Sequence, residues 1–152
     1  MNALILCVGR LKEPWQRAGA EEYLKRLSRY GKYAVEQVDD APDSLGRRAV
    51  EREGEALLRR IRPGDHVVAL CVEARAPDSP GLAALVDGWE RRGARTVLVI
   101  GGSNGLSEAV LARADERLSF SNLTFPHGLM RVILLEQLYR AERIRAGEPY
   151  HK

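Results

Sequence analysis

Residues 96–105 read TVLVIGGSNG. Thr96–Ile100 is a short β-branched and apolar run, the pattern of a buried strand. It passes without a linker into Gly101-Gly102-Ser103-Asn104-Gly105. A glycine-rich turn directly after a buried strand lies at the carboxyl end of a sheet, where α/β proteins bind ligands. Glycines let the backbone come close to such a ligand. The spacing is not G-x-G-x-x-G and no Gly-Lys-Ser/Thr follows, so neither a dinucleotide fingerprint nor a P-loop is present. Taken alone, the glycines also suit an ordinary tight turn.

Towards the N-terminus the same alternation repeats. Ala3–Val8 (ALILCV) predicts a buried strand closed by Gly9, and Trp15–Arg29 a helix with Ala18, Tyr23, Leu24 and Leu27 at helical spacing. Tyr33–Val38 predicts a second strand, Asp39–Gly46 a polar loop, and Arg47–Ile61 a charged amphipathic helix. His66–Val72 predicts the third strand, and a helix started by Ser79-Pro80 runs to about Arg92. Beyond the glycine turn come a short helix over Ser107–Arg113, a short fifth strand over Arg117–Phe120, and a long helix over Gly128–Ile144. Strands alternating with helices, each strand apolar on both faces, predict an α/β domain whose mostly parallel sheet is flanked by helices. No repeat, linker or low-complexity segment divides residues 1–152, so the chain reads as a single domain.

Composition narrows the function classes. Hydrophobic residues are 45% and charged residues 30% of 152, enough core and enough solvated surface to exclude a disordered chain. The net charge of +3 permits a polyanionic partner without requiring one. The basic residues are mostly Arg, which forks onto phosphates and stacks on bases; a GC-rich genome or a thermophilic host explains the same bias. Cys7 and Cys71 lie inside apolar runs, and no signal peptide or membrane span is evident, so a reduced, cytoplasmic protein is expected. His66, His127 and His151 are far apart, so no metal-ligand spacing appears. His66, Trp15 and Trp89 read as structural residues.

Two further segments suggest a site. Phe120–His127 (FSNLTFPH) is apolar yet rich in loop formers, and it leads into a helix at Pro126. Its backbone can meet an adenine-like edge while Leu123 and Phe125 pack on the ring; a buried helix-capping connection is the alternative. The C-terminal cluster comprises Arg131, Glu136, Tyr139, Arg140, Tyr150, His151 and Lys152. Glu136 and Arg140 are four apart and suit a surface ion pair. The Tyr-His-Lys ending suits base stacking and phosphate contact, although such tails are also commonly disordered.

In combination, VGR-L-K after the first strand, Leu70 at the end of a middle strand, IGGSNG, SNLTFPH, RVILLEQLYRA and the closing PYHK resemble the ribosomal RNA large subunit methyltransferase H family over essentially the whole chain. These are small SPOUT-class enzymes that methylate N3 of a pseudouridine in large-subunit rRNA. The resemblance implies a SPOUT-type fold with a C-terminal trefoil knot, S-adenosylmethionine as cofactor, a homodimer, and ribosomal RNA or the assembled ribosome as partner, with no metal and no membrane. It assigns cofactor binding to Leu70, Gly101, Gly102, Phe120, Ser121, Asn122, Leu123, Thr124, Phe125 and Pro126. It assigns the substrate side to His127, Arg131, Arg140, Tyr150, His151 and Lys152. The chain departs from the family where Cys71 stands for an Asp, Ala74-Arg75 for a Gly-Lys/Arg pair, and Ser103 for the proline of the turn.

For the chemistry, His127, Arg140 and His151 are the catalytic candidates. An imide nitrogen must lose a proton, and both histidines titrate near neutrality when unperturbed. Either can accept that proton; His151 suits substrate contact and His127 suits shaping the site. Arg131, Arg140 and Lys152 suit phosphate contact and a developing anion. The long C-terminal helix carries apolar residues around much of its circumference, which calls for cover by a second subunit. Two other classes stay open: a non-catalytic ribosome-associated RNA-binding module, and a SPOUT methyltransferase acting on tRNA.

Overall fold

A computed structural model describes Met1–Lys152. The strands are β1 (Asn2–Val8), β2 (Lys32–Val38), β3 (His66–Leu70), β4 (Thr96–Ile100) and β5 (Glu116–Leu118). The helices are α1 (Pro14–Leu27), α2 (Arg47–Leu58), α3 (Ser79–Arg91), α4 (Glu108–Arg113) and α5 (His127–Arg145), and Asp43–Leu45 forms one tight helical turn inside the expected polar loop. All neighbouring strands are parallel, in the order β2-β1-β4-β3-β5.

Strand periodicity explains why both faces are apolar. Ala3, Ile5 and Cys7 of β1, with Val68, Leu98 and Ile100, point into a core closed by α1, α3 and α5. Leu4, Leu6 and Val8, with Val67, Val97 and Val99, point to the opposite face, covered by α2 and α4. Each fully buried Leu or Val here contributes about 1.5–3 kcal/mol. Asp78 caps α3 by accepting the Gly81 N–H at 2.8 Å, and Ser107 caps α4 by accepting the Val110 N–H at 3.2 Å.

Several expected boundaries shift for identifiable reasons. β3 stops at Leu70 rather than Val72, and β5 at Leu118 rather than Phe120. Beyond those points the Cys71 N–H still donates to the Leu118 carbonyl at 2.9 Å, but the Ser119 N–H turns away to the Arg75 carbonyl at 2.8 Å. α2 ends at Leu58 and α1 at Leu27, a turn or less before the expected ends. On α1, Ala20 rather than Ala18 faces the core.

His66 and Trp89 are structural, as expected: both are buried, both face the Glu116 carboxylate, and Trp89 Nε1 donates to it at 2.7 Å. Trp15 corrects its expected packing role, being 57% exposed at the start of α1. No helix is long and apolar enough to cross a membrane.

Candidate functional site

The carboxyl ends of β3, β4 and β5 open on one side of the sheet, where the loops that follow them converge. Leu70, Cys71 and Val72 leave β3; Ile100 and Gly101 leave β4; the segment from Leu118 through Phe125 leaves β5. Together with His127 and Met130 of α5 they line a cleft enclosing about 120 Å³. Pockets that swallow a drug-sized ligand run to roughly 300–1,000 Å³, so this cleft takes part of such a molecule, a flat ring for instance, and leaves the rest at its mouth.

Local hydrogen bonds hold the β5–α5 segment in an open conformation. Ser119 is 1% exposed; its hydroxyl donates to the Ser121 carbonyl at 3.0 Å and accepts the Ser121 N–H at 3.3 Å. The Ser121 hydroxyl accepts the Leu123 N–H at 2.9 Å. Serine side chains satisfying nearby backbone in this way replace a sheet ladder and free other backbone groups for a ligand. Leu123 stands 70% exposed at the mouth, and Phe125 is half-buried inside. Across the cleft the glycine turn is folded tightly on itself: a Cβ at Gly101 would lie 2.7 Å from the backbone carbon and oxygen of Gly105. No side chain fits there, which is why the turn begins with glycine.

Of the expected cofactor residues, Leu70, Gly101, Phe120, Ser121, Leu123, Thr124 and Phe125 line the cleft; Gly102, Asn122 and Pro126 stand beside the lining. Ile100, Leu118, Ser119, Val72 and Met130 line it without having been anticipated. Ile100 and Leu118 are the last residues of their strands, and Met130 accompanies Pro126 one helical turn on, its N–H donating to the Pro126 carbonyl at 2.9 Å. Strand-end position was therefore the signal for the first two. Cys71, half-buried at the lining, has its thiol pushed up by burial, opposed by Arg117, so it offers a neutral group where the family pattern has a carboxylate.

The C-terminal tail is docked. The Tyr150 ring packs edge-on against Tyr139 at 4.9 Å, lies 4.8 Å from the Arg140 guanidinium, and donates its hydroxyl to Glu136 at 3.0 Å. Burial, then the Glu136 carboxylate, pushes the Tyr150 phenol up to about 12, so it stays a donor at neutral pH. Glu136 also pairs with Arg140 at 2.7 Å, the expected ion pair, and Arg140 Nη1 lies 3.3 Å from His151 Nδ1. His151 and Lys152 project into solvent.

Arg131 corrects its expected substrate role. It is 2% exposed; Nη2 donates to the Gly9 carbonyl at 2.8 Å and Nη1 to Gln37 Oε1 at 3.1 Å. Its guanidinium is an internal strut between α5 and the ends of β1 and β2, with no surface left for RNA. His127 and the tail group are also not brought together within one chain. Arg140 lies thirteen positions after His127 along α5, which at about 1.5 Å per residue is roughly 20 Å.

No cluster of His, Cys, Asp or Glu suited to hold a metal occurs. The family model described as "Predicted SPOUT methyltransferase" matches residues 1–151. Proteins named "Ribosomal RNA large subunit methyltransferase H" are similar over the full length of both chains: 50% identical in Bifidobacterium animalis subsp. lactis, 46% in Bacillus pumilus and 45% in Clostridioides difficile. Among solved structures, a probable methylase family protein from Haemophilus influenzae superposes with a TM-score of 0.57 at 12% identity, covering 99% of this chain and 70% of that one, a likeness of fold.

Proposed function

This chain belongs to the SPOUT methyltransferase family, whose members use S-adenosylmethionine, and on that premise we propose that it methylates N3 of a pseudouridine in large-subunit ribosomal RNA, as a cytoplasmic homodimer. The name carried by relatives at 45–50% identity supports the RNA class. The observation in this chain that carries the reading is the cleft itself: a collapsed glycine turn faces an apolar segment with free backbone at the carboxyl ends of three parallel strands. A pure RNA-binding module has no use for such a recess.

The residues present fit the cofactor. Leu70, Phe120 and Phe125 offer apolar walls for an adenine ring, and the backbone around Gly101 and Ser121–Thr124 offers polar groups at its edge. Bound there, S-adenosylmethionine supplies an electrophilic methyl group. The protein's own residues then have to orient the imide nitrogen and take its proton. His127, at the first position of α5 and on the cleft lining, shapes the methyl-facing side. Exposed His151, in contact with the half-buried Arg140, receives the substrate, with Lys152 on the phosphates. The roughly 20 Å between the two groups supports a dimer in which each cleft is completed by the tail of a second copy. Leu129, Met130, Val132 and Ile133 of α5, half-buried in one chain, supply an apolar face for that copy. The trefoil knot belongs to the same proposal. Its support is the Ser119–Pro126 segment running against the Cys71–Asp78 loop, tied to it by the Ser119–Arg75 bond.

The test is methyl transfer from labelled S-adenosylmethionine to ribosomes lacking the modification, with mass spectrometry of the digested RNA. N3-methylpseudouridine in large-subunit rRNA is the expected product. Label found in tRNA alone, or in no RNA, would sink the reading, and a monomer at micromolar concentration by light scattering would remove its dimeric part.

A further inference from the structure

α2 presents Ala49, Glu53, Gly54 and Leu57 to the interior. Ala49, Glu53 and Leu57 are four apart and share one face, so an acidic residue occupies a position where the helix otherwise carries core side chains. Glu53 is 6% exposed. Oε2 accepts the Ala41 N–H at 2.9 Å, while Oε1 is fully buried and has no partner. A buried carboxylate with an unpaired oxygen costs stability, and a local rule broken in the core points to a function.

That oxygen is aimed at the glycine turn. A Cβ at Gly102 would lie 3.3 Å from Glu53 Oε1, 3.5 Å from Oε2 and 3.1 Å from Val8 Cγ1. The glycine thus allows the carboxylate to lie against the back of the turn. The Ala41 N–H, held by the other oxygen, belongs to the loop leaving β2. Asp40 of that loop and His127 converge beside Gly9, with Asp40 Cβ 3.9 Å and His127 Nε2 3.5 Å from the point where a Gly9 side chain would begin. One carboxylate therefore touches both the turn on the cofactor side and the loop beside His127.

We propose that Glu53 is a positioning residue for methyl transfer: its buried carboxylate ties the Gly101–Gly105 turn to the Asp39–Ala41 loop, and the unpaired Oε1 accepts a backbone N–H of the turn when the turn closes on S-adenosylmethionine. The inference rests on the reading that this turn binds the cofactor. It assigns Glu53 no contact with either substrate.

Two variants of the full-length protein test it by calorimetric titration with S-adenosylmethionine alone, thermal unfolding, and methylation of ribosomes. Glu53→Gln keeps the size and one acceptor, which the Ala41 N–H takes, but turns an NH₂ group towards the turn. Glu53→Leu keeps the packing and accepts nothing. Both are expected to fold, Glu53→Gln with an unfolding midpoint near wild type and Glu53→Leu with a midpoint lowered by the unsatisfied Ala41 N–H, and both to bind S-adenosylmethionine about tenfold more weakly, the net worth of one hydrogen bond. KM for the cofactor should rise in step while KM for ribosomes stays put. Wild-type affinity in either folded variant overturns the proposal. So do affinity losses that merely track thermal destabilisation, or failure of both variants to fold, since each assigns Glu53 to the core alone. If the wild-type protein itself fails to bind S-adenosylmethionine, the cofactor reading falls and takes this inference with it, a failure recognisable from the control.

Discussion

Replacing Arg131 by Met separates an internal strut from an RNA contact. The guanidinium gives the Gly9 carbonyl its donor at 2.8 Å and reaches Gln37 at 3.1 Å, while its Nε is already unpaired. Without it the buried Gly9 carbonyl is left unsatisfied, which costs about 1–3 kcal/mol. Gln37 is exposed and turns to water, so its loss adds little. Met refills most of the stem, and removing a buried charge returns some desolvation cost. The net is about 2 kcal/mol, which for a domain of this size lowers the melting temperature by about 6 °C. Arg131→Ala also strips the two buried methylenes beyond Cβ at about 0.8 kcal/mol each, for about 3.5 kcal/mol and about 10 °C in all. Scanning calorimetry reads the stability, and the salt dependence of KM for ribosomes reads the RNA contact. An internal strut leaves that salt slope unchanged, whereas loss of a phosphate contact reduces it by about one. An Arg131→Met protein with wild-type stability and a shallower slope would refute the reasoning.

Gly101→Ala forces a Cβ to 2.7 Å from the Gly105 backbone; the turn must open, and calorimetry should register at least a tenfold loss of S-adenosylmethionine affinity, so an unchanged affinity would separate the turn from the cofactor. His151→Ala should lower methylation strongly with cofactor affinity nearly unchanged, because His151 is exposed and reaches only Arg140; full-rate methylation by this variant would deny the tail a substrate role. Glu90, hydrogen-bonded first by the Met1 ammonium and then by Arg145, has its carboxyl held down to about 2 from 4.5. A depressed folded value means stabilisation that is complete above the ordinary carboxylate range and lost as pH falls towards 2, so the melting-temperature gap between wild type and Glu90→Gln should be widest at pH 7 and narrow below pH 4.5. A gap independent of pH would contradict that.

The alternation of strands and helices was legible because each strand carries its own signal. Thr96–Ile100 matches its expected bounds residue for residue, since a strand buried on both faces is apolar throughout and the following glycines end it. β3 and β5 were read too long for the same reason: Cys71, Val72 and Phe120 are apolar because they line a cleft, and composition does not distinguish a cleft wall from a sheet interior. The glycine turn and Phe120–His127 were legible as loops of unusual character, and family resemblance linked them before any geometry did.

The amino-acid sequence by itself determined the α/β class, the parallel sheet, both cofactor-side loops and the aromatic-basic ending, all of which are local patterns of hydrophobicity and turn chemistry. Tertiary structure alone decided which polar side chains face inward and what they meet. Arg131 looked like one more cation on a basic helix until α5 crossed the ends of β1 and β2, where Gly9 and Gln37 lie far away in sequence. Glu53 is one of several charged residues of an amphipathic helix, and only the packing of α2 behind Gly102 sets it inside. His127 and His151 were read on one substrate side, but His127 starts α5 while the tail lays His151 against Arg140, thirteen positions further along that helix. In each case the partner comes from another segment, and the strand order β2-β1-β4-β3-β5, which no local pattern encodes, sets who the neighbours are.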